Sequence, residues 1–410
     1  MSQALIIDAC RTPRGIGKQG KGALADMHPQ HLGAAVLRAL AERTGINTAD
    51  VDDIIWGTST QAGTQGGDLG RMAALDAGYD QRSSGVTLDR YCGSGITTVN
   101  LAAASIMSGM EDLVVAGGTE MMSMTTTLRD GPKFMDSGNL RLRARHPQSH
   151  QGVCADAIAT LEGIPRADLD ALALESQKRA AVAIAEGRFN KSLVPVYKAD
   201  GSLALDREEF PRPQTTAEGL AGLKPAFTAL ADVPLDVKGT TFRGLILQKH
   251  PGLDIRFVHH AGNSSGVVDG AGALLLASER YAKAHGLKAR ARVVAFANVG
   301  DSPTLMLNAP VPAARKVLAK AGLTLDDIDL FEINEAFAVV AEKFIRDLGL
   351  DRDKVNVNGG AMALGHPIGA TGSILIGTLL DELERRDLRR GLVTMCAAGG
   401  MAPAIIIERL

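Results

Sequence analysis

Aromatic residues are scarce in this chain: 4% of 410 residues, with one tryptophan and four tyrosines against 46 glycines. That balance suits an α/β protein with many tight strand–helix turns. Cysteine is scarce too. The four, Cys10, Cys92, Cys154 and Cys396, form no CxxC pair and no metal-ligand spacing. A disulfide framework and a metal centre are therefore not expected, and a reducing compartment is the natural reading. Charge of one sign is lacking: the net value of −2 gives no electrostatic case for nucleic acid or a membrane surface as partner. No apolar run approaches the ~20 residues needed to cross a bilayer. The start, Met1 to Ala9, reads as a first strand and lacks the basic region and long apolar run of a signal peptide. A cytoplasmic protein is expected. Nucleotide motifs are absent as well. Gly63 to Gly70 is glycine-rich but has no Lys-Ser/Thr, and no dinucleotide fingerprint follows the first strand.

What is present is ordinary in bulk, 45% hydrophobic and 22% charged, with length for two or three domain-sized units. The two ends carry a weak repeat. Arg38 to Gly57 lies without gaps over Arg315 to Asn334, with helix pattern, glycine (Gly45, Gly322), Asp-Val-Asp or Asp-Ile-Asp, then a short apolar strand. Each half continues with a Gly-rich turn, a helix and a strand ending in paired glycines, Gly117-Gly118 and Gly399-Gly400. Two similar α/β units are expected to pack together. From about Ser123 to Phe257 the texture changes to basic and Pro/Thr-rich stretches around a helix predicted over Arg166 to Glu186. Excursions of this size usually carry binding surfaces.

Four elements carry chemistry. Cys92, in Arg90-Tyr91-Cys92-Gly93-Ser94-Gly95, sits on a tight turn ahead of the amphipathic stretch Ile96 to Met107. A helix N-terminus favours a thiolate there, the nucleophilic form; the plainer reading is a small buried hydrophobe. His366, in Gly365-His366-Pro367-Ile368-Gly369, occupies the matching turn of the second half and is either a base for a nucleophile or a capping histidine. Cys396 lies near the end of the last long strand, ahead of Ala397-Ala398-Gly399-Gly400, as a second proton-carrying thiol or as packing. Asn334, in Phe331-Glu332-Ile333-Asn334-Glu335-Ala336-Phe337, orients a water or an oxyanion, or caps a helix. His259-His260 reads as a strand with one face buried rather than a metal site.

Taken together these segments resemble the thiolase family. The likeness rests on Cys92-Gly-Ser-Gly, Asn334-Glu-Ala-Phe, Gly365-His366-Pro-Ile-Gly and Cys396 followed by glycines. It extends to Ala116-Gly117-Gly118-Thr119-Glu120, Ala261-Gly262-Asn263-Ser264-Ser265-Gly266 and Asn356-Val357-Asn358-Gly359-Gly360-Ala361, in order along the whole chain. The middle segment, with Arg212-Pro-Gln-Thr-Thr and Leu223-Lys224-Pro225-Ala226-Phe227, is similar to that family's loop domain. It is nearer to degradative 3-ketoacyl-CoA thiolases and β-subunits of fatty-acid oxidation complexes than to short-chain acetoacetyl-CoA synthases.

The resemblance implies duplicated βαβαβαββ halves in a five-layered αβαβα core: residues 1–122 completed by 258–279, a loop domain over 123–257, and 280–410. It implies CoA-dependent cleavage of a 3-ketoacyl-CoA in β-oxidation. Cys92 is acylated, His366 takes its proton, Cys396 exchanges protons with acetyl-CoA and CoA, and Asn334 holds a water at the enolate oxygen. A second oxyanion hole would use backbone N–H groups of Cys92 and residue 398. Coenzyme A is substrate, with no tightly bound cofactor, and Ser265, Arg212 and His150 would contact it. A homodimer or homotetramer is implied, with a hydratase/dehydrogenase α-subunit as a further partner. Two alternatives stay open: an acetyl-CoA acetyltransferase making acetoacetyl-CoA, and a non-catalytic acyl-CoA scaffold. Two positions depart from the family pattern. Ala398 stands where a glycine is usual, and Gln151 stands where short-chain biosynthetic members often carry an apolar residue.

Overall fold

Strands that read as unbroken apolar runs need cover on both faces, and here each receives it. The computed structural model describes residues 3–128 and 135–410; residues 1–2 and 129–134, inside the expected first half and loop domain, lie outside the described residues. The first run comprises β1 (Ala4–Arg11), β2 (Gly15–Ile16), α1 (Pro29–Thr44), β3 (Asp53–Gly57), α2 (Leu69–Asp76), β4 (Val86–Leu88), α3 (Ser94–Ser108) and β5 (Leu113–Met121). The chain then leaves the sheet. The excursion holds α4 (Gln151–Leu161), α5 (Arg166–Ala185) and the ribbon β6 (Val196–Tyr197) and β7 (Leu203–Leu205), before β8 (Val268–Ser278) returns. The second run is β9 (Ala291–Gly300), α6 (Pro310–Ala321), β10 (Leu330–Ile333), α7 (Ala338–Leu348), α8 (Thr371–Arg385), β11 (Arg390–Thr394) and β12 (Met401–Arg409).

The strand order is β10-β11-β12-β9-β1-β8-β5-β3-β4, with β2 against β8. Both halves use one plan. β3 and β5 run parallel, as do β10 and β11; β8 and β12 close each half antiparallel. β4 pairs with β3 through Ile55↔Val86, and a parallel bridge Phe331↔Val355 takes its place in the second half. The halves join through Leu5↔Arg292 and Ile6↔Ala291 of β1 and β9, which makes the sheet continuous across both.

Alternation along the strands sorts side chains into layers. Leu5 and Ile7 pack with Leu32 and Leu37 of α1, whereas Ile6 faces Ile96 of α3 and Leu379 of α8. Ile405 and Ile407 of β12 join that same central cluster, and Ile406 packs with Val317 of α6 and Phe344 of α7. The layers are α1/α2, first-half strands, α3/α8, second-half strands and α6/α7, the expected five.

The repeat is also visible residue by residue. Gly45 and Gly322 both end a helix in the left-handed region, at φ 64° and 66°. Asp52 accepts the N–H groups of Asp112 (2.7 Å) and Leu113 (3.1 Å) at the start of β5. Asp329 accepts those of Arg389 (2.9 Å) and Arg390 (2.8 Å) at the start of β11. The aligned aspartates do one job twice.

Two expectations are corrected. Gly117-Gly118 does not end a strand, since β5 runs on to Met121. A Cβ on Gly117 would strike the Trp56 ring at 2.6 Å and one on Gly118 would overlap Gly369 O, so close approach explains these glycines. His259-His260 is not a strand either. It lies in irregular chain, with both rings buried against carboxylates.

Candidate active site

Cys92 lies one residue ahead of Gly93, the N-cap of α3, on a turn built to hold it. Tyr91 takes a left-handed φ of 51°, uncommon for a bulky residue. Ser94 pins the turn from both sides: its Oγ accepts Arg90 N–H (2.8 Å) and donates to Tyr91 O (2.7 Å). Asp89 accepts Tyr91 N–H at 2.6 Å. Cys92 is partly exposed, whereas Cys10 and Cys154 are buried with thiols donating to Val36 O and Thr304 O. Burial pushes those two thiols up, Cys154 to about 12. They are packing groups.

His366 is buried, and its hydrogen bonds fix its tautomer. Thr371 Oγ1 donates to Pro367 O (2.9 Å), so it accepts from His366 Nδ1–H (2.6 Å). Nε2 then carries the lone pair, which faces Asn334 Nδ2 at 3.4 Å. Burial pulls the imidazole down to about 3. The resting ring is neutral, with its basic nitrogen beside Asn334. Asn334 follows β10 and is not a cap, since Phe337 precedes α7. Its buried Oδ1 has no partner in the described structure, which leaves an acceptor for a bound molecule.

Cys396 follows β11 and is buried. Burial, and after it the neighbouring Cys92, push its thiol well above the usual range. The two cysteine turns abut: a Cβ on Gly93 would touch Ala397 at 3.4 Å and Pro403 at 2.9 Å. Ala398 does not take a positive φ, whereas Gly399 and Gly400 do, at 79° and 77°. Alanine at 398 therefore bears no backbone strain.

Two carboxylates that the sequence motifs contained, but to which no role was attached, hold these loops. Glu120 of β5 accepts Ser59 N–H (2.8 Å) and Gly369 N–H (2.9 Å), tying the His366 loop to the first half. Glu335 accepts from Ser176 Oγ (2.7 Å), Asn356 Nδ2 (2.9 Å) and Met362 N–H (3.2 Å), fixing the loop that carries Asn334. Burial raises both, against those hydrogen bonds. Their presence in Ala116–Glu120 and Asn334–Phe337 was the available signal.

The residues expected at CoA divide into two groups. Ser265 N–H donates to Ala336 O (3.0 Å), beside Asn334. His150 caps α4 and stands between Phe227 (5.6 Å) and Phe242 (5.5 Å), and Phe227 reaches Phe337 (5.9 Å). Burial lowers its imidazole. Arg212 stands apart, its guanidinium 5.6 Å from the Phe210 ring, on a cavity of about 260 Å³ with Leu220, Leu223, Ala261 and Gly262. No group of three or more metal-ligating side chains gathers among the described residues. No described helix is long and apolar enough to cross a membrane.

Comparison with known proteins points the same way. Residues 4–233 match the description "Thiolase, N-terminal domain" and residues 287–409 "Thiolase, C-terminal domain". The chain is 40% identical to an acetyl-CoA acetyltransferase of Chromobacterium violaceum, over 99% of this chain and 100% of the relative. It is 40% identical to a steroid 3-ketoacyl-CoA thiolase of Mycobacterium tuberculosis, over 100% and 95%. A β-ketoadipyl-CoA thiolase of Acinetobacter baylyi is 38% identical over the full length of both. Among solved structures, the acetyl-CoA acetyltransferase of Bacillus anthracis superimposes with a TM-score of 0.85 at 34% identity, covering 100% of this chain and 99% of that one. With both halves, the paired cysteine turns and the His366–Asn334 contact accounted for, this chain belongs to the thiolase family.

Proposed function

We propose that this thiolase cleaves 3-ketoacyl-CoA thioesters with CoA, in a degradative role, through an acyl group carried on Cys92. The observation that carries the reading is the neutral His366, its Nε2 lone pair beside Asn334 and its Nδ1–H fixed by Thr371. Such a base accepts the Cys92 proton at Nε2. The thiolate then attacks the 3-keto carbon, and the bond between C2 and C3 breaks. The electron pair leaves as the acetyl-CoA enolate, whose oxygen is met by His366 Nε2–H and by a water held at Asn334. Each such donor is worth roughly 3–4 kcal/mol. Cys396, a neutral thiol at rest, protonates the enolate carbon. Its thiolate next removes the proton of a fresh CoA thiol, which attacks the acyl-Cys92 thioester. Cys92 leaves and recovers its proton from His366.

CoA enters as substrate, and no tightly bound cofactor is needed for any step. Ser265 and His150 support its pantetheine arm, and Arg212 its nucleotide end. Relatives named for steroid and β-ketoadipyl substrates favour the degradative direction. Those named acetyl-CoA acetyltransferase favour a second reading, acetoacetyl-CoA synthesis at the same site. A cytoplasmic homo-oligomer, able to meet a hydratase/dehydrogenase partner, fits the degradative role.

The test is loss of enolate absorbance from a panel of 3-ketoacyl-CoA thioesters. Cys92→Ser lowers turnover by about a hundredfold or more, and iodoacetamide abolishes it. Normal turnover in Cys92→Ser, or after full alkylation of Cys92, refutes the nucleophile and leaves a binding scaffold. Activity confined to acetoacetyl-CoA favours the second reading.

A further inference from the structure

His259 and His260 take no part in the chemistry above, yet both rings are buried and fully engaged. His259 Nδ1–H donates to Asp156 Oδ1 (2.8 Å) from α4. Its Nε2 accepts Val339 N–H (3.4 Å), in the first turn of α7. An imidazolium has no lone pair for that backbone donor, so the ring is the neutral Nδ1–H tautomer. Its face meets Phe337 edge-on at 5.7 Å. His259 thus acts as a remote cap on the helix that Asn334-Glu335-Ala336-Phe337 leads into.

His260 is oriented the other way. Its Nδ1 accepts Gly262 N–H (3.0 Å), and its Nε2–H donates to Asp170 Oδ1 (2.8 Å) on α5. Asn263 closes the turn: its Oδ1 accepts His260 N–H (2.8 Å) and its Nδ2 donates to the same Asp170 oxygen (2.9 Å). The chain leaving this turn touches both catalytic loops. Ser265 N–H donates to Ala336 O, and His366 N–H donates to Gly266 O (2.9 Å).

We infer that the adjacent histidines are positioning residues with separate duties: His259 sets the Asn334 loop through α7, and His260 sets Ser265 against CoA through α5. The inference rests on the assignment of Asn334 and Ser265 above. It explains why two imidazoles stand side by side. Each accepts a backbone N–H with one nitrogen and donates to a buried carboxylate with the other, in opposite senses.

The amide isosteres separate near from far contacts. Glutamine reaches the place of Nε2, and asparagine that of Nδ1. His259→Asn should lower kcat for acetoacetyl-CoA thiolysis by about tenfold with the CoA KM held within about twofold, and His259→Gln should restore it. His260→Asn should raise the CoA KM by about tenfold with kcat within about twofold, and His260→Gln should restore it. Should an asparagine variant fail to fold, the glutamine variant decides alone: wild-type kinetics support the inference, and a loss overturns it. Equal losses in kcat and KM, or equal losses for both isosteres, mean packing only and overturn it. Asn334→Ala and Ser265→Ala are the controls. If they are impaired while the histidine variants are normal, only this inference falls. If they are normal, the site reading falls and takes the inference with it.

Discussion

At the scale of single residues, His366 makes the sharpest claim, because its neutrality is written twice in the structure. Thr371 needs an Nδ1–H donor, and burial penalises the imidazolium. The sign of the resulting pH dependence follows. Folded His366 titrates at about 3, and an unfolded histidine near 6.5. Between those values the unfolded chain binds a proton that the folded chain refuses. The contribution is therefore complete above about pH 6.5 and is lost as pH falls toward 3. From about pH 7.5 to about pH 5 this one group should cost about 2 kcal/mol. Equilibrium unfolding of wild type and His366→Asn at both pH values checks it: the wild type should lose about 2 kcal/mol more than the variant. Parallel losses would mean that the ring is already charged in the folded protein. In the proposed mechanism, a ring this reluctant to hold a proton would return it readily to the departing Cys92. That mechanism would hold it as imidazolium only while a negative enolate or thiolate lies beside it.

At the scale of elements, turns decide more than helices do. Ala398 departs from the family's glycine, but the backbone there does not need φ > 0, whereas Gly399 and Gly400 do. Ala398→Gly should leave kcat within about threefold and lower stability by about 0.5–1 kcal/mol, through the freer unfolded chain. A stabilised or much faster variant would show that the methyl crowds the site. Much of this was legible in the sequence. The helix predicted over Arg166 to Glu186 is found over Arg166–Ala185, and the Gly45/Gly322 alignment marks two equivalent helix ends. What the sequence could not show depends on contacts distant along the chain. Gly117-Gly118 reads as a strand end, yet the glycines lie inside β5 because Trp56 and Gly369 press on them. His259-His260 reads as a half-buried strand because Asp156 and Asp170, respectively 103 and 90 residues before the histidines they bond, cannot be paired with it by pattern alone. Glu120 and Glu335 lie in visible motifs, but their duties become apparent only when Gly369, Ser176 and Met362 are brought to them.

At the scale of the whole molecule, the catalysis proposed above needs two halves in register, because Cys92 comes from the first and His366, Asn334 and Cys396 from the second. The register is set where α3 and α8 meet in the central layer. A Cβ on Gly95 would lie 2.8 Å from both Gly372 N and Ser373 N, and one on Gly372 would overlap Ile96 N. The helix starts that follow the Cys92 and His366 turns thus touch backbone to backbone, with no side chain between them. Interiors this close-packed transmit a small displacement rather than absorb it. Gly372→Ala should drive the two turns apart, lower the melting temperature and cut kcat by about a hundredfold. Gly377→Ala, one and a half turns further along α8, is the comparison. Its Cβ would meet Ala9 Cβ at 3.2 Å, a contact between methyl groups rather than with a backbone. Helix propensity there favours alanine by about 1 kcal/mol, so kcat should stay near wild type. If both substitutions slow turnover alike, tight packing along the whole helix, and not the crossing, sets the distance between nucleophile and base.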